Sequence, residues 1–404
     1  MSISITGMNA ARSQLDIASQ NLTNSETNGY KSFRAILGDV YAQAGTASVD
    51  MSGVTLLGTQ QAFSPGQLTQ SGNAFDLGID GKGFFVLGNN GEEFYSRAGL
   101  FNQDKEYYLV DPSGYRLRGF AVNNQGVVDT SKLVDLQVSK ADRPGKATTK
   151  ASATINLNAS DPVIDRTTVA LNPSDPRTFS WYGALNIFDS LGEQHTLGSY
   201  FTKTGINRWR LEFHLDGQPF IHARPTEELT FNSSGLLTTP ADAQFSLTPP
   251  VLSSGAVLHP LAMDFSGITQ FSTDSAFRSL AVDGQMAGSL NQVSFGENGF
   301  LQGSYSNGEQ YLLGQVALAT FPNDNGLVVS GNNKWMSSMV SGNPLFNPSG
   351  LNGAGIIKAG FVEQSNVDLA SGLSDVILAQ RNFQVSAKAF QAEDLLSQTL
   401  INLT

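Results

Sequence analysis

The chain has 404 residues, is 40% hydrophobic and carries no cysteine and a formal net charge of -11, a length that allows two to four domains around a sizeable core. The lack of cysteine excludes disulfides, thiolate metal sites and cysteine nucleophiles, and an acidic balance with scattered Lys and Arg disfavours nucleic acid, whose phosphates need a basic footprint. No apolar run approaches the roughly 18 residues of a membrane span, so membrane insertion is not expected. Charged residues make up 15% of the chain against a usual value of about 25%. Together with many small polar residues, that low charge suits a surface buried against other copies, and it equally suits a secreted β protein.

The first residues, MSISITGMNAARSQ, lack the basic and apolar regions of a cleaved signal peptide, so any export is expected to use another route. Residues 2–24 read as an amphipathic helix, with Met8, Ala11, Leu15, Ala18 and Leu22 at alternating spacings of three and four and the Asn28-Gly29 pair as its stop. From Tyr30 to Gly72, extended chain and short strands are expected. Residues 73–144 carry short apolar runs at Phe84–Leu87, Phe94–Arg97, Tyr107–Val110 and Tyr115–Phe120, the pattern of antiparallel sheet.

Composition shifts near Arg143-Pro144-Gly145, and nine of the fifteen prolines lie between 151 and 280. Residues 145–283 therefore read as an inserted β-sandwich or barrel. Strand patterning resumes over 284–340, a Gly/Asn/Pro-rich stretch follows from Ser341 to Gly355, and 26–72 and 341–364 read as linkers. The terminal helix is expected to open at Ser365 or Asn366, with Asp368 in a capping-box position. In it Leu369, Val376, Phe383 and Phe390 recur every seven residues, with Leu373, Gln380 and Ala387 between them, and Leu396, Leu400 and Leu403 continue on a rotated face. This is coiled-coil spacing. The expected fold is multidomain: terminal helices (1–25 and 365–404) forming a coiled coil, mainly antiparallel all-β domains between them, and one β domain inserted into another.

Chemistry is absent from the motifs. There is no GxSxG elbow and no HExxH; Gly81-Lys82-Gly83 lacks the Ser or Thr of a phosphate loop, and Asp76 and Asp80 fit a turn better than a calcium loop. His214 and His222 lack ligand spacing, and Asp264, Asp274 and Asp283 show no spacing that selects a catalytic dyad. No catalytic, cofactor-binding or metal-ligating residue is singled out, and no enzyme activity is expected. The two terminal stripes either pack on each other beside the β body or, being too narrow for a robust lone pair, are shared among many copies, since a repeated head-to-tail contact that does not close builds an open helical filament.

The residues also resemble a known family. SITGMNAARSQLDIASQNLTNSETNGYKSFRA (4–35) is similar to the amino-terminal signature of bacterial flagellar rod and hook proteins, with Asn21, Asn24, Thr27, Gly29, Tyr30, Lys31 and Arg34 in motif positions. FDLGIDGKGFFVL (75–87) and FYSRAGLFNQD (94–104), with Arg97 and Gly99, resemble the family's internal block. EQSNVDLASGLSDVILAQRNFQVSAKAFQAEDLLSQTLINL (363–403) resembles its carboxy-terminal signature, with Asn366, Gln380, Arg381 and Asn382 intact. The length, the 145–283 insert and LGQVALATFPNDNGL (313–327) look like the hook. The resemblance implies a structural, non-enzymatic subunit of the flagellar hook and basal body, without a cofactor, exported by the flagellar type III apparatus. It implies polymerisation into a curved, bendable tube that transmits torque from rod to filament. The implied partners are further copies of the chain, the distal rod protein, the hook cap and the hook–filament junction proteins. A distal rod protein is the alternative within the class, and a secreted β-rich hydrolase or carbohydrate-binding module the alternative outside it.

Overall fold

The computed structural model describes residues 3–44, 48–123, 126–138, 142–220, 228–248, 250–252 and 254–403. Ser2, Gly45, His222 and Thr404 of the sequence reading lie outside them, as do the side chains of Leu400 and Leu403. The chain divides into two compact units, residues 1–139 with 292–304 and 310–404, and residues 140–291 with 305–309. Among the described residues no helix is long and apolar enough to cross a membrane.

The first unit begins with helix α1 (Ile3–Thr23). It ends before Asn28-Gly29, because the Asn24 side chain donates to the Gln20 carbonyl at 2.9 Å and so competes with the helical ladder. Gly29 has φ +70°, a left-handed turn placed after the helix has already stopped. Strands β1 (Phe33–Ala44) and β2 (Ser48–Gln61) then form one long antiparallel hairpin in which Phe33 faces Gln61. The short strands expected here are thus two long ones; cross-strand pairing, invisible to local composition, holds them.

The body of this unit is a mainly antiparallel sheet running from Phe300–Tyr305 through Gln310–Thr320, Arg116–Val122, Phe84–Asn89, Glu92–Ser96 and Lys334–Met336 to Val328–Gly331. Phe84, Val86, Tyr95, Phe120, Ala317, Ala319 and Trp335 form its core, with Phe63, Phe84 and Trp335 meeting edge to face at 5.6–5.7 Å, a geometry aromatic rings favour. The indole N–H of Trp335 donates to Gln61 Oε1 at 2.8 Å and so ties the end of β2 to this core.

The stretch 341–364, expected as a linker, carries three strands. Leu345–Pro348 pairs with Gln310–Thr320, Ile356–Ala359 with Leu77–Asp80, and Phe361–Glu363 with Leu68–Gln70. Helix α2 (Leu369–Leu403) follows. Its N-cap is Asp368, whose carboxylate accepts the Ser371 amide at 2.7 Å; Ser365, expected in that role, instead accepts the Val367 amide, ahead of the helix.

The second unit is a sandwich. Trp181–Phe188, Gln194–Gly205, Arg208–Leu215, Glu228–Phe231 and Leu237–Thr239 form one sheet, extended by Gln218–Phe220. The other is built on Lys150–Asn158, which runs parallel to Leu261–Asp264 and Thr269–Phe271 and antiparallel to Ala276–Val282. Alternate residues of both sheets enter one core, including Ile155, Leu157, Leu197, Trp209, Leu211, Phe245 and Met263. The period of two along Lys150–Asn158 and Trp181–Phe188 is visible in their burial.

Candidate functional site

Helix α1 lies between the β1–β2 hairpin on one side and α2 on the other. On the hairpin side the Asn21 amide donates to the Phe33 carbonyl at 2.7 Å while its oxygen accepts the Phe33 amide at 2.9 Å and the Tyr30 hydroxyl at 3.2 Å. Burial pushes the Tyr30 phenol up to about 12. On the other side the two helices run antiparallel: a Cβ on Gly7 would lie 3.0 Å from Ser386 Oγ, and one on Gly372 3.9 Å from Leu22 Cδ1.

The seam between the helices is made of small residues. Ser4, Ala11 and Ala18 of α1, spaced by seven, are buried, as are Gly372 and Ala379 of α2, with Ser386 half-buried at the next sevenfold step. Met8, Leu15, Leu22 and Val376 flank it, half-buried. Small side chains let two helix axes approach closely, and the large apolar residues of α2 keep part of their surface exposed. Leu369 and Leu373 are each 51% exposed, and Phe383 and Phe390 remain 39% and 38% exposed. Ile377, Leu378, Leu395 and Leu396 are exposed as well. Within one chain the contact line thus passes through Gly372, Val376 and Ala379 rather than through Leu369, Leu373 and Gln380. With 35 residues against 21, α2 also overhangs α1 by roughly 20 Å at about 1.5 Å per residue.

Where α1 ends and α2 begins, both ends of the chain are pinned to the sheet body. Glu363, fully buried, is the pin. Its Oε1 accepts Lys31 Nζ at 2.6 Å, the Gly66 amide at 2.7 Å and an Arg97 nitrogen at 3.2 Å, and its Oε2 lies 2.8 Å from Arg97 Nε. Lys31 also donates to the Ser64 carbonyl, and Arg97 to the carbonyls of Gly83 and Gly81. Burial pulls the Lys31 ammonium down to about 8, with the adjacent Glu363 carboxylate opposing that fall and Arg97 adding to it. Charges removed from water hold together only when each is paired and hydrogen-bonded, and here every one has several partners.

Most motif residues converge on this junction. Asn366 accepts the Ser32 amide at 2.8 Å and donates to the Ala62 and Ser64 carbonyls. The Gly29 amide donates to the Glu363 carbonyl at 2.8 Å, and a Cβ at Gly29 would lie 2.5 Å from the Ala98 nitrogen. At Gly99 a Cβ would lie 1.7 Å from the Leu77 carbonyl oxygen, so only glycine fits there. Asn24 accepts the Thr27 hydroxyl and closes the turn after α1. Gln380 and Arg381 are exposed on α2, apart from the junction, while Asn382 lines a groove with Gln14, Asn21, Arg34 and Asp375. Sequence reasoning does not single out Glu363, because nothing local distinguishes a buried carboxylate from a solvated one.

Asp76 is buried in a turn, accepting the Ser71 hydroxyl and the Asn73 amide, and Asp80 pairs with Lys358 at 2.6 Å. Both are structural ties. His214 Nδ1 lies 3.4 Å from the Gly217 carbonyl.

Paired terminal helices lie beside an antiparallel β body with the two ends tied at one junction, and comparison with known proteins places a chain so built among flagellar rod and hook proteins. Residues 1–31 match the family model described as flagella basal body rod protein, 78–165 the flagellar hook protein FlgE/F/G D1 domain, 156–285 the flagellar basal body protein FlaE D2 domain, and 358–403 the flagellar basal body rod FlgEFG protein C-terminal. The chain is 32% identical to the flagellar hook protein FlgE of Escherichia coli (strain K12), covering 99% of this chain and 98% of that one, and 30% identical to that of Borreliella burgdorferi, with the same coverage. The chain belongs to the flagellar hook protein family. A crystal structure of Helicobacter pylori flagellar hook protein FlgE2 shares the fold over 73% of this chain and all of that one, with a TM-score of 0.54 at 16% identity.

Proposed function

We propose that this chain is the repeating structural subunit of a bendable flagellar hook, with its terminal helices forming an inner coiled coil shared among many copies. The observation that carries this reading is the placement of large apolar residues on α2. The intrachain seam uses glycine, alanine and serine, and leaves Leu369 and Leu373 half exposed and Phe383 and Phe390 only partly covered. A contiguous apolar face of this kind is ordinarily a contact surface. Neighbouring helices of the same kind are its natural cover, because Ala11, Ala18 and their flanking Met8, Leu15 and Leu22 repeat with the same sevenfold period. In this reading torque passes along the tube through many such contacts, and bending comes from small slides between β units whose surfaces carry few charges. Polar interfaces bridged by water re-form readily after such a slide. The distal rod protein, the hook cap, the junction proteins and the type III export apparatus are the proposed partners of the two tube ends and of delivery. A mechanical, non-enzymatic role follows.

The test is Phe383→Asp in the full chain. The ring is partly exposed in the lone subunit, so the monomer should fold with unchanged circular dichroism. A charge in a face that becomes buried on assembly costs several kcal/mol, and hooks should be absent by electron microscopy. Hooks of normal number and length from this variant would overturn the reading.

A further inference from the structure

In the sandwich unit, the strand Trp181–Phe188 ends in a turn, Asp189 to Glu193, and the return strand starts at Gln194. Asp189 organises that turn: its Oδ1 accepts the amides of Leu191 at 2.8 Å and Glu193 at 2.9 Å. Those two bonds fix the direction of the carboxylate. Its side chain is fully buried, yet the other oxygen, Oδ2, has no hydrogen-bond partner. Facing it at 3.5 Å is Nε2 of His195, a nitrogen that is likewise buried and without a hydrogen bond. Buried polar atoms are rarely left so. Here the two face each other as an ion pair whose separation is long for a hydrogen bond.

The separation suits an ion. Two ligands on a tetrahedral centre with bonds of about 2.0–2.1 Å stand about 3.3–3.5 Å apart, longer than a good hydrogen bond. Asp189, Glu193 and His195 each bring a ligand atom to within 4.8 Å of the others. The far side of the imidazole is also arranged as metal-bound histidines usually are, with the ring N–H on a carboxylate that fixes the tautomer. Nδ1 lies 2.7 Å from Asp216 Oδ2, and Asp216 is itself held by the Thr196 amide at 2.8 Å on its other oxygen.

We propose that Asp189, Glu193 and His195 form a binding site for a divalent transition-metal ion of the zinc type, with Asp216 as the positioning residue behind the histidine. One imidazole and two carboxylates favour Zn2+ or Co2+ over Ca2+ or Mg2+, which prefer all-oxygen cages. Glu193 is exposed, so the fourth position opens to water. The ion would clamp the turn 189–193 onto the strand that follows it, a structural role. The spacing 189, 193, 195 straddles a hairpin turn, which is why neither helical nor strand periodicity flags it. The rival arrangement is an imidazolium bridging Asp189 and Asp216 with no ion present.

Glu193 separates the two, because it belongs to the metal site and not to the Asp189–His195–Asp216 row. Full-length protein, stripped with chelator and dialysed, is titrated with Co2+ while visible absorption is followed, then challenged with Zn2+, and the same is done with Glu193→Gln. The proposal expects one Co2+ per chain with four-coordinate visible bands, displacement by Zn2+, and a rise in the thermal midpoint of the sandwich transition with metal. Glu193→Gln should bind at least tenfold more weakly while its metal-free unfolding midpoint stays unchanged. An absence of stoichiometric Co2+ binding in the natural sequence, or equal binding by Glu193→Gln, would overturn it, the latter pointing to surface histidines such as His259.

Discussion

In the sandwich, Phe213, Phe245 and Phe265 point inward and meet ring to ring at 5.8–6.3 Å, whereas on α2 Leu373 is half exposed and Phe383 and Phe390 are only partly covered while glycine, alanine and serine hold the seam. Both regions are rich in large apolar residues. The sandwich satisfies them within one chain, as an independent folding unit must. The helix pair leaves them partly uncovered within the single chain. Hydrophobic composition alone therefore does not tell a closed core from a partly open face; what tells them apart is the residue size along the intrachain seam.

The comparison can be broken at either end. Trp209→Ala empties the middle of the sandwich core, where the indole is fully buried and its N–H donates to Gln270 at 2.7 Å; a loss of about 3–5 kcal/mol is expected. Denaturant unfolding followed with probes in each unit should show the sandwich transition moving and the other holding still. Glu363→Gln leaves Lys31 and Arg97 facing each other without their counter-charge. Removing one member of a buried ion cluster costs about 3–5 kcal/mol, here from the unit that carries the helices, and protease sensitivity near residue 363 reads it directly.

Asp283 gives a smaller, pH-dependent effect inside the sandwich unit. Burial alone pushes its carboxyl up, but the Thr149 hydroxyl, the Lys150 and Thr149 amides and Lys146 outweigh burial and hold it below its ordinary value of 3.8. A depressed acid adds stability above its unfolded pKa and loses it as pH falls through the folded one. Asp283→Asn should thus cost about 1–2 kcal/mol at neutral pH, and urea midpoints of the two proteins should converge as pH drops well below 3.8. The smallest change sharpens the helix pair. Gly372 sits in the first turn of α2, and a Cβ there would meet nothing closer than 3.9 Å, so Gly372→Ala should stabilise the helix by about 0.5–1 kcal/mol, seen as greater helicity by circular dichroism.

Much of the architecture was legible. Runs such as Phe84–Leu87 and Tyr115–Phe120 read as strands because short apolar stretches bounded by turn residues suit an antiparallel sheet. The heptads of both ends likewise announced helices. Less legible were the strands at Leu345–Pro348 and Ile356–Ala359, whose Asn-, Gly- and Pro-rich surroundings read as loop, and the long β1–β2 hairpin. In these segments pairing with distant chain, not local propensity, decides the outcome.

By itself, the amino-acid order determined the helices at the two ends, the β body between them, and the family signatures that place this chain among hook proteins, since periodicity and motif spacing are local properties. Tertiary structure alone decided which side of α2 meets α1, that Lys31, Arg97 and Glu363, separated by up to 332 positions, share one buried site, and that Asp189 Oδ2 and His195 Nε2 face each other at 3.5 Å. Each of those depends on distances between residues far apart in the chain or across a turn, and on burial, neither of which a linear pattern encodes.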